Sequence, residues 1–170
     1  MSGMQATGTI QRSSSSSGLL GYWTRRLLST ESDITPTIAR VVAGVVMFPH
    51  GAQKVLGWFG GYGFSGTYGY LTAQLGVPGP FAVLAILTEF FGALALIAGL
   101  GSRIAALGIA AVMVVAIATV HVPFGFFMNW TGSQAGEGFE FHLLLLALVA
   151  IVVVKGGGKG ALDRVLSPKE

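Results

Sequence analysis

Phe81 to Leu100 is a continuous run of apolar and small residues interrupted by a single charge, Glu89. A helix needs about 20 predominantly apolar residues to cross a bilayer, and this run is long enough. A carboxylate at that depth is costly, so it faces a protein interior and has a partner. Candidate partners stand in three other apolar segments: His50 and Lys54, then His121, then Glu140 and His142. A chain of this kind must bury a polar cluster among apolar helices, which restricts fold and function together.

Hydrophobic residues make up 52% of the 170-residue chain and charged residues 10%; soluble domains carry roughly 25% charged residues. The composition is that of a membrane protein, and the length allows one domain. A membrane barrel would show segments of about ten residues with alternating polarity; the runs here are continuous, so the expected fold is helical. Cysteine is absent, which excludes disulfides, thiolate metal sites and a thiol relay on this chain. The net charge of +3 comes from basic residues beside membrane segments, so it speaks of topology and not of nucleic acid.

Residues 1–35 read as a tail. Ser13 to Ser17 cannot bury anything and is expected to be disordered. Leu19 to Leu28, with Arg25 and Arg26, reads as an interfacial helix meeting anionic head groups or as a flexible linker. The opening residues lack the apolar stretch of a signal peptide. Four spans are predicted over 36–155. The first runs from Pro36, well placed at a helix start, to Leu56. The second is Phe81 to Leu100, after the breaker Val77-Pro78-Gly79-Pro80. Gly101-Ser102-Arg103 turns into the third, Ile104 to Val122, which Pro123 ends. The fourth, Phe139 to Val154, is short for a span, and a re-entrant segment is its competitor. Residues 156–170 form a second tail, and Gly156 to Gly160 reads as helix termination.

Arg12, Arg25, Arg26, Arg40, Arg103, Lys155, Lys159, Arg164 and Lys169 fall on one side of this arrangement and only Lys54 near the other. The expected fold is therefore all-α, a polytopic membrane four-helix bundle with both termini cytoplasmic. The outer loops, 57–79 and 124–138, are rich in glycine and aromatic residues that suit an interfacial belt, with a short helix near Thr67 to Leu75. Asn129-Trp130-Thr131 is a glycan acceptor only in a secretory pathway.

At about 100° per residue, Arg40, His50 and Lys54 share an arc of about 80° on the first helix, with Gly44 and Gly51 beside it. Pro49 makes the angles beyond it approximate. Small residues on that stripe let a neighbour approach closely; Gly92 and Ala93 after Glu89 offer the matching surface, so the first two helices are expected to abut there. Three readings compete for the cluster. It is a satisfied internal network, a small-molecule site such as one for a quinone, or a metal site. The metal reading is the weakest, because no two histidines have i, i+4 spacing, and no metal is expected.

The segments Arg40-Val41, Phe48-Pro49-His50-Gly51-Ala52-Gln53-Lys54, Thr88-Glu89-Phe90-Phe91-Gly92 and Gly99-Leu100-Gly101-Ser102-Arg103 follow one another in order. After them come His121-Val122-Pro123-Phe124-Gly125-Phe126-Phe127, Gly138-Phe139-Glu140 and Leu162-Asp163. In order and spacing they resemble the DoxX family of small four-span membrane proteins, over about Ile38 to Leu166. The resemblance implies a bacterial or archaeal cell-membrane protein, in oxidoreductase settings; some relatives are similar to the membrane subunit of thiosulfate:quinone oxidoreductases. Arg40, His50, Lys54, Glu89, His121 and Glu140 sit in the family-like motifs.

The leading expectation is an inner-membrane component of an oxidoreductase system with a quinone or similar redox ligand in its outer half. His50 and Glu89 would handle protons, Lys54 would balance charge, and His121, Glu140 and His142 would complete the site. Arg40 and Arg103 would anchor the helices structurally or through lipid. The alternative is a non-catalytic scaffold that holds soluble redox or oxidative-stress enzymes at the cytoplasmic face, with a transporter third. Expected partners are the lipid bilayer, redox proteins and a second copy of the chain; nucleic acid is not among them.

Overall fold

The computed structural model describes residues 22–23, 26–30 and 32–167, and every regular element among them is helical. The reading of Ser13 to Ser17 lies outside the described residues, as do Arg12, Arg25 and Lys169. Helix α1 is Thr35–Val55, α2 is Gly63–Gly69, α3 is Gly79–Ala98, α4 is Ser102–Ala116, α5 is Glu140–Lys155 and α6 is Leu162–Leu166. The expected spans coincide with α1, α3, α4 and α5 to within a few residues. Helix α2 continues into a π turn, Tyr70–Gln74, where a short helix was expected. Helix α4 continues through a wide π turn, Ile117–His121, and a 3₁₀ turn, Val122–Phe124.

The long helices pack in a closed ring, α1 on α3, α3 on α4, α4 on α5 and α5 back on α1. Their shared core is built from Ala39, Ala43, Met47, Ala93, Leu96, Ala106, Ile109, Met113, Leu145, Val149 and Val152. Alanine dominates because helices in lipid gain from close van der Waals approach and not from hiding apolar surface from water. The outer surface carries the bulk: Val45, Leu84, Phe91, Ile104, Val114, Leu144 and Val154 are exposed. Among the described residues two helices, Gly79–Ala98 and Ser102–Phe124, are long and apolar enough to cross a membrane.

Glycine sets the closest approach. A β-carbon on Gly51 would lie 2.5 Å from Phe90 Cα, and one on Gly44 would lie 2.9 Å from the Ala93 carbonyl oxygen. The first two long helices therefore meet on the small stripe that the helical wheel marked, directly beside Glu89.

One end of the ring is tied by backbone. The turn between α3 and α4 uses Gly99 and Gly101, both left-handed at φ 72° and 57°. Arg40 is 2% exposed. It donates from Nε to the Gly157 carbonyl at 2.9 Å, and from its terminal nitrogen to the carbonyls of Leu96 and Ile97 at 2.6 Å each. A cation thus sits on the C-terminal end of α3, where the helix dipole is negative. Buried Asp163 does the converse, accepting from the N–H groups of Gly101 at 2.6 Å and Ser102 at 2.9 Å at the start of α4. Of the two anchoring modes expected for Arg40, structural or through lipid, these contacts inside the protein are of the structural kind. Arg103 likewise caps α5 through the Val153 and Val154 carbonyls and reaches Ser29.

The segment before α1 is held at the same end. Asp33 accepts from the Thr35 N–H at 3.0 Å and pairs with Lys155 at 3.3 Å. The Thr35 N–H first, and Lys155 after it, hold its carboxyl below the ordinary aspartate value of 3.8. A depressed folded-state pKa stabilises above the unfolded value and loses that contribution as pH falls through the lowered one. Amide exchange across residues 32–35, corrected for intrinsic rates, should therefore quicken only below about pH 4. Asp33→Asn should abolish that step; an unchanged step would assign it to another group.

Candidate functional site

The opposite half of the ring holds the polar cluster. Lys54, in the last turn of α1, donates to Glu89 Oε2 at 2.6 Å. The Glu89 side chain is 8% exposed and that of Lys54 is 30% exposed. The partner demanded by a carboxylate in the middle of an apolar helix is therefore Lys54. Its Nζ keeps one side open, and an ammonium has three donors.

His50 stands one turn before Lys54 and packs its ring against Phe141 of α5, with centroids 5.6 Å apart. Across the ring of helices, His121 and His142 face each other at 4.1 Å between centroids. The π turn delivers His121 there; its Nδ1 lies 2.8 Å from the Glu137 carbonyl oxygen. His142 is 6% exposed, and its Nδ1 finds no hydrogen-bond partner among the described residues. A buried imidazole nitrogen left unmatched has lost its water without replacement.

These groups share a cavity of about 910 Å³, lined by His50, Lys54, Glu89, His121 and His142. Glu140 is placed differently. Its Oε1 accepts from the Met128 N–H at 3.0 Å and the Trp130 indole at 2.9 Å, so it fastens the loop between α4 and α5 over the cavity. Its acidic neighbour Glu137 lines the cavity in its stead. The cluster thus joins five of the six expected residues, and Glu140 supports its roof.

Some participants were not foreseen. Thr67 and Tyr70, from the segment between α1 and α3, line the wall beside Lys54. Glu137 and Phe141 flank Glu140 and His142 in sequence, but a wheel drawn for α5 alone gives no sign of which residue turns toward α1. Among the described residues no three His, Asp or Glu side chains gather closely enough to hold a metal ion. The arrangement offers instead a cation, a carboxylate and imidazoles around an apolar space, which suits a neutral molecule with hydrogen-bonding oxygens.

The family model described as DoxX matches residues 35–122, which include α1, α3 and α4 with the π turn. The inner membrane protein YqjF of Escherichia coli (strain K12) is 28% identical over 137 residues, which cover 81% of this chain and 95% of that protein. No solved structure matches the chain.

Proposed function

The chain belongs to the DoxX family, and on that ground we propose that this membrane protein is an inner-membrane component of an oxidoreductase system that binds a quinone. In this reading α1, α3, α4 and α5 all span the bilayer, with both termini cytoplasmic. The exposed aliphatic side chains on all four helices support the four spans. Arg26, Arg103, Lys155, Lys159 and Arg164, gathered at the end where the chain enters α1, support the orientation.

The observation that carries the reading is the Lys54–Glu89 pair, 2.6 Å long, in the wall of a largely apolar cavity that His50, His121 and His142 also line. A quinone fits these residues, because its ring is apolar and its two carbonyl oxygens are acceptors. Lys54, paired with Glu89, donates to one oxygen. His142 and His50 donate to or accept from the other. His121, fixed by the Glu137 carbonyl, connects His142 to the loop side. A bound quinone supplies the redox capacity; these side chains bind it, orient it and place protons at its oxygens.

Native mass spectrometry of the detergent-extracted protein tests this. The wild type is expected to retain a quinone mass, and Glu89→Gln, though folded, to retain about ten- to a hundredfold less, in line with loss of a charged hydrogen bond of roughly 1.5–3 kcal/mol. A wild type that stays empty after incubation with excess quinone would overturn the reading. In that case the scaffold alternative stands, favoured by exposed Lys159, Arg164, Val165 and Leu166 at the terminal end. Deleting residues 1–28 would then remove captured soluble partners, whereas an intramembrane site survives that deletion.

A further inference from the structure

We propose that the ligand is a long-chain amphiphile that enters sideways from the lipid and lays its apolar chain in the seam between α3 and α4; this rests on the reading of the polar cluster given above. The cavity continues well past the ion pair. It follows the seam along Gly92 and Ala95 of α3 and Gly108 and Ala105 of α4, and reaches Leu100 and Ile104 at the far end. From His121 to Ile104 is about 25 Å at 1.5 Å per residue, close to the roughly 30 Å of a bilayer's hydrocarbon. Small side chains keep the seam open, and the two helices still touch within it: a β-carbon on Gly108 would lie 2.9 Å from Thr88 Cγ2.

The two halves of this cavity differ chemically. Lys54, Glu89 and the histidines occupy the half nearer the loops. The half running to Leu100 and Ile104 is lined by apolar side chains. A short polar ligand would use the first half and leave the second without purpose. A phospholipid could fill the second, but its charged head belongs at the interface, whereas Glu89 lies about 15 Å along α3 from Gly79. An uncharged head with carbonyl or hydroxyl oxygens, on a long apolar chain, matches both halves.

The test uses the full chain in nanodiscs, with ubiquinone-1 and ubiquinone-10 as short-chain and long-chain probes. Ala95→Phe, and separately Ala105→Phe on the facing helix, fill the seam on the Leu100 side of the ion pair. Leu107→Trp, on the exposed surface of α4, is the control. Retention of ubiquinone-10 should fall about tenfold or more in either seam variant, with ubiquinone-1 binding and the control unchanged. Equal retention of both probes in a folded seam variant would overturn the inference and leave the polar site standing. So would a seam variant that loses only phospholipid, or one that dissolves a dimer, since a lipid or a second copy would then be the occupant. A wild type that binds neither probe would overturn the quinone reading itself.

Discussion

Arg40→Met is expected to leave little folded protein in the membrane, at a cost of about 3–5 kcal/mol, the range for removing one partner of a buried charged network. Methionine keeps an unbranched apolar stem out to about the Nε position, so the loss comes mainly from the missing guanidinium. Three carbonyls, from Leu96, Ile97 and Gly157, lose their donor, and buried Asp163 loses the cation that faces it. Arg40→Lys should fall between, since an ammonium keeps the charge but cannot reproduce the fork of a guanidinium. The measurement is the monodisperse fraction after detergent extraction, with the thermal midpoint of what remains. A wild-type midpoint in Arg40→Met would mean that the guanidinium faces lipid and that the ring closes by other contacts.

The second large effect is expected at Gly51. Leucine there would drive a side chain into the backbone of α3 at Phe90, where even a β-carbon meets Cα at 2.5 Å. Overpacking against side chains costs typically 1–3 kcal/mol; here the obstacle is main chain, which cannot rotate away, so about 3 kcal/mol or more is expected. Helices α1 and α3 must separate, and the 2.6 Å Lys54–Glu89 bond opens with them. Gly51→Leu should therefore lose thermal stability and quinone retention together, and Gly44→Leu should lose mainly stability. Gly69→Ala is the contrast, because no atom lies within 4 Å of a β-carbon there. A Gly51→Leu protein with an undisturbed midpoint would place α1 and α3 farther apart than described here.

The limits of the long helices were legible because the breakers that end them act locally. Pro36 opens α1, the Pro78-Gly79-Pro80 stretch precedes α3, Gly101 separates α3 from α4, and Gly156 ends α5. That Glu89 needs a partner was legible, since a carboxylate in an apolar helix must be paired or neutralised, and the small stripe at Gly44 and Gly51 pointed to the helix that brings Lys54, one of five candidates. Residues whose roles depend on contacts between distant segments were not legible in this way. Arg40 reads as an anchor, structural or through lipid, and only the fold shows that α3 and the residues after α5 place carbonyls around it. Asp163 gives no hint of capping a helix that begins at Ser102. Glu140 shares its stretch of chain with His142, but the loop's Trp130 claims its carboxylate.

The π turn at Ile117–His121 has a consequence for how this molecule can vary. Such a turn holds one residue more than an α-helix would need to cover the same stretch. Each residue of an α-helix advances the chain by about 100°, so the surplus decides which way His121 points. Removing one of residues 117–120 would let the stretch become α-helix and leave His121 facing His142, whereas regularising it with every residue kept would swing His121 about 100° away. The pairing of the two imidazoles is thus encoded in the width of the turn as much as in residue identity. A substitution scan across 117–120 would pass over this determinant, and a set of single-residue insertions, each turning His121 by about 100°, would expose it.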